Sequence, residues 1–406
     1  MSLPPPAQRG SHSPPALIDD AMSEIFLRVP ADDPKTLVRA AAVCTTWRRI
    51  LCDLIFTRQY RAFHGAPPML GFLRNTRHER SWGKGRNKNH EHYVVSSFVS
   101  TASFRSPACH ERRHWRVLDS RHGLVLFHTP KRDEDFVVCD LVTYDRWRIK
   151  ASRECSDIIW GDATDEDEDE QEEHVENDGI TWNAAVLCAK DRCDHTYCHY
   201  GPFLVVLLGS DEDQGITFAS VYSSATGKWS DMISIEDQED IEMAGHTAVV
   251  GDKVYFQCEN AVTTVEYNIG EKELLLFDRP VDDDEDVDLP RADLIGVDDG
   301  MLLFATVQGP RLYLWSMEAG PNGAEEWARR RVIDEPVLPP PALYDMSVVG
   351  FAEGIGVIFL STKDGLYTIE LNSGRSKKVH GDKSVEKVMP YMSFYTKAWG
   401  RSPTSD

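Results

Sequence analysis

The sequence predicts an α+β multidomain protein, in which a small N-terminal helical unit precedes an all-β domain of the β-propeller type. A chain of 406 residues exceeds the roughly 100–200 residues of one ordinary domain, so two units or one large repeat are expected. The hydrophobic pattern changes near Pro67 from a helical period to short strand-like runs. Those runs form units that recur about every 50 residues, which is typical of propeller blades.

The helical unit is predicted from apolar residues that recur at helical spacing from Leu17 onward. Pro30 ends the first helix, because proline lacks the backbone N–H that a helix interior needs. Asp33 is a suitable N-cap for a second helix, and Pro34 suits its first position. Thr45 is expected to cap a third helix. One side of that third helix comprises Trp47, Ile50, Leu51 and Leu54.

The all-β part contains five similar units of apolar strands separated by Gly- and Asp-containing turns. A four-stranded unit of about 50 residues favours a propeller over the alternative of a non-repeating β-sandwich pair. The predicted hairpins begin near Gly123, Pro202, Asp252, Gly300 and Gly354. Similar places on the closing strand or its entry are taken by Trp147, Trp229, Leu274, Trp327 and Val379.

A sixth blade is expected from the segment Met69–Trp115 together with the tail "VEKVMPYMSFYTKAW". Pairing of the tail with early strands would close the ring and remove its open edges. We therefore expect about six blades, with five and seven as alternatives. The predicted domains are a disordered leader at 1–14, a helical domain at 15–64 and a propeller-like domain at 68–400.

The net charge of −22 is concentrated in two stretches of the chain. Residues 161–179 hold 11 acidic residues, residues 281–288 hold six, and neither stretch contains Lys or Arg. Both are interpreted as solvated loop insertions, with docking of a basic partner as the alternative. The excess of acidic over basic residues argues against a general nucleic-acid binder. The basic stretch Arg74–Lys88 is predicted to be a loop, with anion binding or nuclear import as alternatives.

Nine cysteines and an N-terminus without an apolar signal core predict reduced thiols in the cytoplasm or nucleus. Cys44, Cys139 and Cys258 are expected to be core residues. The one cluster with metal-ligand residue types has an unusual C-x4-C-x4-C spacing, so an inter-strand loop is favoured over a zinc site. We predict no metal and no cofactor. The cluster comprises Cys188, Cys193, His195, Cys198 and His199.

Enzymatic and membrane functions find no local support in the sequence. It contains no G-x-S-x-G, H-E-x-x-H, P-loop or G-x-G-x-x-G motif, and no apolar run approaches the roughly 18 residues of a membrane span. A propeller enzyme with titratable groups gathered in its central channel is the remaining catalytic alternative. We predict a non-catalytic protein without membrane or nucleic-acid partners.

The N-terminal unit resembles an F-box, because residue types, order and spacing agree over about 45 residues. Ile18 stands where the family usually has a proline that helps adaptor docking. The first part of the match comprises Leu17, Asp20, Glu24, Ile25, Arg28, Val29 and Pro30. The second part comprises Leu37, Arg39, Val43, Cys44, Trp47, Arg48, Ile50, Leu51 and Phe56.

The rest of the chain resembles the C-terminal half of a large group of plant F-box proteins. The similar stretches are "AAVLCAKDRCDHTYCHYGPFLVVLLGSDED", "ASVYSSATGKWSD" and "VMPYMSFYTKAW". The resemblance implies a plant origin and a propeller-like partner-recognition domain behind the F-box. The repeat of about 50 residues is itself close to the kelch length. It does not identify the target protein.

What the resemblance implies about function is a substrate receptor that binds a Skp-family adaptor and, through it, the cullin scaffold of a ubiquitin ligase. The alternative is a non-catalytic scaffold or decoy whose F-box does not engage the ligase, for which Ile18 is the one indication. The residues expected to contact or support the adaptor face are Leu17, Ile18, Ile25, Leu37, Val43 and Trp47.

Overall fold

A computed structural model gives the fold of the chain, four helices followed by six β-sheets. It describes residues 19–82, 89–101, 115–129, 135–143, 145–160, 180–190, 193, 201–243, 245–259, 263–280, 292–309, 311–319, 325–334, 346–382 and 384–394. The predicted leader at 1–14 and the acidic insertions at 161–179 and 281–288 lie outside the described residues.

The helical unit contains four helices rather than the three that the sequence predicts. Asp33 is the N-cap of the second helix and Pro34 is its first residue, as predicted. The third helix is capped by Cys44, whose Sγ accepts a hydrogen bond from Trp47 N at 3.5 Å, so the prediction that Thr45 is the cap was wrong. The four helices are α1 (Asp19–Leu27), α2 (Pro34–Val43), α3 (Thr45–Cys52) and α4 (Leu54–His64).

Asp53 separates α3 from α4, which the helical period of the sequence did not reveal. Its backbone is extended (φ −69°, ψ 134°), and its carboxylate accepts a hydrogen bond from Ile55 N at 2.6 Å. This carboxylate satisfies a donor that a new helix leaves unpaired. Leu54 therefore belongs to α4 and is exposed, instead of lining the buried side of α3.

The six sheets form the blades of a propeller, as the sequence predicts. Blade 1 consists of β1 (Met69–Trp82), β2 (Asn89–Ser100) and the C-terminal β24 (Val385–Met392). Blade 2 consists of β3 (Arg116–Arg121), β4 (Leu124–His128), β5 (Phe136–Asp140) and β6 (Arg146–Ile149). Blade 3 consists of β7 (Ile180–Cys188), β8 (Phe203–Asp211), β9 (Ile216–Ser223), β10 (Lys228–Trp229) and β11 (Ile233–Ile235), the last two both paired with β9.

The remaining three blades each have four antiparallel strands in chain order. Blade 4 consists of β12 (Thr247–Val250), β13 (Lys253–Gln257), β14 (Thr263–Asn268) and β15 (Glu273–Asp278). Blade 5 consists of β16 (Ala292–Asp298), β17 (Met301–Gln308), β18 (Arg311–Ala319) and β19 (Glu325–Ile333). Blade 6 consists of β20 (Met346–Ala352), β21 (Val357–Thr362), β22 (Gly365–Glu370) and β23 (Ser376–His380). A fifth helix, α5 (Arg153–Trp160), lies between β6 and β7 and was not predicted.

The ring is closed by β24, which comes from the C-terminal end of the chain and pairs with β1 near its beginning. The two strands are antiparallel, with Phe72 opposite Pro390. On its other side, β24 packs so closely on β20 that a Cβ at Gly350 would lie 2.6 Å from Val388 O. The predicted pairing of the tail with early strands is thus confirmed.

Part of the basic stretch Arg74–Lys88 is strand, so its prediction as a loop was wrong. The strand β1 continues to Trp82 and pairs residue by residue with β2, from Gly71 opposite Ser100 to Trp82 opposite Asn89. The polar side chains of this stretch are compatible with a strand, because the hydrogen bonds between strands are made by the backbone. The pattern of charged residues in the sequence does not reveal that backbone pairing.

The core of the propeller consists of apolar clusters between neighbouring blades. Trp182 on β7 packs edge-on against Phe136 on β5, with ring centroids 5.9 Å apart. Trp229 on β10 lies 6.1 Å from the same Phe136, and its indole N–H donates to Lys150 O. Cys139 and Cys258 are buried as predicted, whereas Cys44 is exposed in its capping position.

Candidate functional site

The helical unit exposes more large apolar side chains than a unit of this size needs to leave in water. Exposed apolar side chains are candidates for an interaction surface. Besides Phe63 at 58%, near the end of α4, the exposed fractions are 50% for Ile25, 38% for Val38, 63% for Val43, 69% for Leu54 and 66% for Ile55. Val43 ends α2, and Leu54 and Ile55 begin α4, so these three residues flank α3. We call the five residues the helical-unit surface.

The residues that the sequence assigns to the adaptor face occupy three kinds of position. Ile25 and Val43 belong to the helical-unit surface. Leu37 is 2% exposed inside the helical core, where it can support that surface but not touch a partner. Trp47 is half-buried and packs edge-on against Phe26, at 5.4 Å between ring centroids. Leu17 and Ile18 lie outside the described residues.

Sequence reasoning missed three members of the helical-unit surface. Val38 lies on α2 and was given no role at the adaptor face. Leu54 was assigned to α3, and Ile55 was left without a role. The signal for both was Asp53, since an Asp before an apolar run is a common helix start.

The helical unit packs rigidly against the propeller through Phe394, which follows β24. Its ring packs edge-on against Tyr60 at 6.2 Å, and the Arg61 guanidinium lies 5.4 Å from its centroid. Ser393 N donates to Pro68 O at 3.2 Å, next to the start of β1. Phe394 belongs to the same apolar cluster as the helical core, so a common core fixes the orientation of the two units.

Tyr60 is the central side chain of this junction. Its hydroxyl donates to Val29 O at 2.9 Å, which ties α4 to the segment that follows α1. Burial raises the pKa of Tyr60, and the nearby carboxylates of Asp32 and Asp33 act in the same direction. The phenol therefore stays neutral at physiological pH and remains a hydrogen-bond donor.

Charged side chains from several blades converge on the propeller axis. Arg121 on β3 pairs with Asp119 at 3.1 Å and with Glu353 of blade 6 at 3.5 Å. Lys387 on β24 crosses to blade 4, where its Nζ donates to Gly245 O at 2.6 Å. Each of these groups is engaged by another protein group, which is typical of a structural network.

The buried position of this network alters the ionisation of two of its bases. Burial lowers the pKa of Lys387 to about 7, opposed by the carboxylate of Asp119. Burial also lowers the pKa of His246 to about 3, and the positive charge of Lys387 acts in the same direction. Both groups sit where a charge is poorly solvated, so the neutral form is favoured.

The cluster of Cys and His residues that was interpreted as an inter-strand loop falls largely outside the described residues. Cys188 and Cys193 form no disulfide, and His195, Cys198 and His199 are not described. Within the part of the chain that the structure describes, no group of three or more His, Cys, Asp and Glu residues is arranged to hold a metal ion. Among the described helices, none is both long and apolar enough to cross a bilayer.

The helical unit packs against the propeller and leaves apolar side chains exposed. Residues 15–59 match the F-box domain. The chain therefore carries an F-box domain in front of a six-bladed β-propeller. No curated protein matches the sequence significantly.

Solved structures resemble the chain only weakly. The extracellular domain of BT4673 from B. thetaiotaomicron is 13% identical with a TM-score of 0.34, over 66% of this chain and 28% of that one. AztD from Citrobacter koseri is 12% identical with a TM-score of 0.32, over 80% of this chain and 70% of that one. An α-L-arabinanase from Penicillium chrysogenum is 13% identical with a TM-score of 0.35, over 66% and 83%. The chain thus spans less than a third of the first of these proteins, and none of them indicates a function.

Proposed function

We propose that this protein is the substrate-receptor subunit of a Skp–cullin–F-box ubiquitin ligase. The F-box docks on a Skp-family adaptor that leads to the cullin scaffold, and the propeller holds a target protein. The chain has no catalytic step of its own. Its contribution is to raise the effective concentration of a target lysine near the ubiquitin-conjugating enzyme. The working location is the cytoplasm or the nucleus, and the plant origin stays a prediction.

The observation that carries the proposal is the helical-unit surface within the F-box match. A solvent-exposed set of Ile25, Val38, Val43, Leu54 and Ile55 loses contact with water when an apolar partner covers it. The partner contacts that we propose are made by Ile25, Val43, Leu54 and Ile55, while Leu37 and Trp47 support the helices from inside. Leu17 and Ile18 keep the contact role that the family resemblance implies.

The rigid junction at Phe394 supports the same function. A substrate receptor has to hold its target at a fixed distance from the ligase, which a flexible linker would not do. The packing of Phe394 on Tyr60 and Arg61 leaves little freedom between the F-box and the propeller.

The test is a pull-down of the full chain with a Skp-family adaptor. Val43→Asp places a charge in the helical-unit surface and is expected to weaken adaptor binding at least tenfold, which corresponds to about 1.4 kcal/mol. Val332→Asp is the matched control, because Val332 is an exposed valine on the outer strand of blade 5.

Wild-type binding with a specific loss in Val43→Asp supports the proposal. An intact, folded chain that does not bind the adaptor would favour the scaffold or decoy alternative. Equal binding by both variants would show that the adaptor is held by another surface.

A further inference from the structure

We propose that a polar cleft between blades 6 and 1 is the place where the propeller holds its partner, and that it takes an acidic peptide segment. This inference rests on the proposed function only in treating the propeller as the partner-binding unit. The cleft has a volume of about 320 Å³, within the range of sites that hold small ligands or side chains. Five of the residues that line it carry the argument: Arg77, Ser347, Ser361, Lys363 and Glu386.

The cleft lies on the face of the propeller opposite the F-box. It is bounded by the start of β20, the end of β21 and the start of β24. The F-box packs instead near Phe394, just beyond the other end of β24, and Ala66 approaches Gly354 in the turn after β20. Eight residues of strand separate the two ends of β24, roughly 25 Å. A partner in the cleft therefore leaves the helical-unit surface free.

A carboxylate oxygen in the wall of the cleft lacks a hydrogen-bond donor. Glu386 Oε1 accepts from Arg77 Nε at 2.7 Å. Its other oxygen, Oε2, is buried and has no partner among the described residues. Oε2 has almost no accessible surface, so a molecule in the cleft does not reach it, and Glu386 serves instead to hold Arg77 in the wall of the cleft.

The other charges at the cleft are positive. Lys363, at the turn after β21, is exposed and has no ion-pair partner among the described residues. The Arg77 side chain is 60% exposed beyond its contact with Glu386. Ser347 and Ser361 face each other across β20 and β21 and add hydroxyl donors. These cationic and hydroxyl groups fit an anionic group on the bound molecule.

A peptide segment with an Asp or Glu side chain supplies such a group. Its carboxylate can lie between Lys363 and Arg77.

The cleft also explains why a basic sequence stretch occurs in a strongly acidic chain. Arg74 and Arg77 belong to the stretch for which anion binding was an alternative. Arg74 is held by Asp382 at 3.0 Å and by His380 Nδ1 at 2.7 Å. Arg77 keeps much of its side chain exposed at the cleft, so among the described basic residues of the stretch it is placed to meet an anion.

The experiment measures binding of the full chain to three labelled heptapeptide pools that differ at one central position. That position is Asp or Glu in the first pool, Asn or Gln in the second and Lys in the third. The acidic pool is expected to bind at least about tenfold more tightly than the amide pool, with the lysine pool weakest.

Lys363→Glu tests the location of binding, and Lys377→Glu is its control. Both lysines are exposed in blade 6 and both changes alter the net charge equally, but Lys377 lies on the outer strand β23. Lys363→Glu is expected to abolish the preference for the acidic pool, and Lys377→Glu to retain it. Ser347→Asp, at a second exposed position of the cleft, is expected to act like Lys363→Glu.

Equal binding of the acidic and amide pools would overturn the inference, as would equal losses in Lys363→Glu and Lys377→Glu. Adaptor binding by the same variants separates this inference from the proposed function. Lys363→Glu is expected to bind the adaptor as the wild type does. A chain that binds acidic peptides but no adaptor would contradict the proposed function and leave the cleft supported.

Discussion

His246 lies near the propeller axis, where its imidazole is buried against other charged groups. Its Nε2 has no hydrogen-bond partner among the described residues. Protonation would therefore place an unpaired positive charge close to Lys387 and Arg121. Burial and these two neighbours together lower the pKa of His246 from its ordinary 6.5 to about 3.

A lowered pKa makes His246 a source of acid sensitivity. Between about pH 6.5 and pH 3 the unfolded chain binds the imidazole proton and the folded chain does not, so stability falls as pH falls. The contribution is about 1.4 kcal/mol of unfolding free energy per pH unit in that window. His246→Gln removes this contribution, so the unfolding free energy of the variant is expected to rise relative to that of the wild type as the pH is lowered.

Urea unfolding at about pH 7, 6 and 5 measures this difference. His78→Gln, in the exposed part of β1, is the control and is expected to follow the wild type. Parallel pH profiles for His246→Gln and the wild type would contradict the assignment.

The residues near the propeller axis are an example of contacts that could not be predicted from the sequence. Asp119, His246 and Lys387 carry no motif, and 268 positions separate the first from the last in the sequence numbering. Only the closed ring brings them together. The prediction of core cysteines was correct for Cys139 and Cys258, which lie within strand patterns, and wrong for Cys44, which lies at a helix boundary.

Among the elements, β24 has the largest effect on the whole structure. It supplies the inner strand of blade 1, packs on β20 and carries Lys387 across the axis. Without it, β1 would be an open edge, and Lys387 would no longer reach Gly245. Closure by a strand from the far end of the chain makes all six blades depend on one another.

Removal of β24 tests this dependence. A chain that ends at Asp382 is expected to lose its single cooperative thermal transition and to elute as aggregates from size-exclusion chromatography, because unpaired strand edges associate. A chain that ends at Phe394 keeps β24 and Phe394, and is expected to elute as a monomer. Monomeric, cooperative behaviour of the shorter chain would contradict the role of β24.

The strand elements were predictable because each blade repeats the same pattern. Each of the five predicted hairpin starts, from Gly123 to Gly354, directly precedes or opens the turn into the second strand of a blade. The five residues predicted on the closing strand or its entry also lie on outer strands, from Trp147 on β6 to Val379 on β23. The break at Asp53 and the helix α5 were missed because they occur once and have no period to reveal them.

At the scale of the molecule, the chain places two unlike surfaces at opposite ends of β24. The helical-unit surface is apolar and lies at the end of β24 that Phe394 follows. The cleft is polar and lies at the start of β24. The F-box was predictable from the residue spacing of its helices, but which apolar residues remain exposed depends on packing against the propeller.

Docking of the F-box on its adaptor is the central claim, and assembly of the complex in solution measures it most directly. The full chain is mixed with a Skp-family adaptor and a cullin scaffold, and the molar mass of the eluting species is measured by light scattering during size-exclusion chromatography. The account predicts one complex with one copy of each protein. A folded chain that elutes alone, while adaptor and cullin elute together, would contradict it.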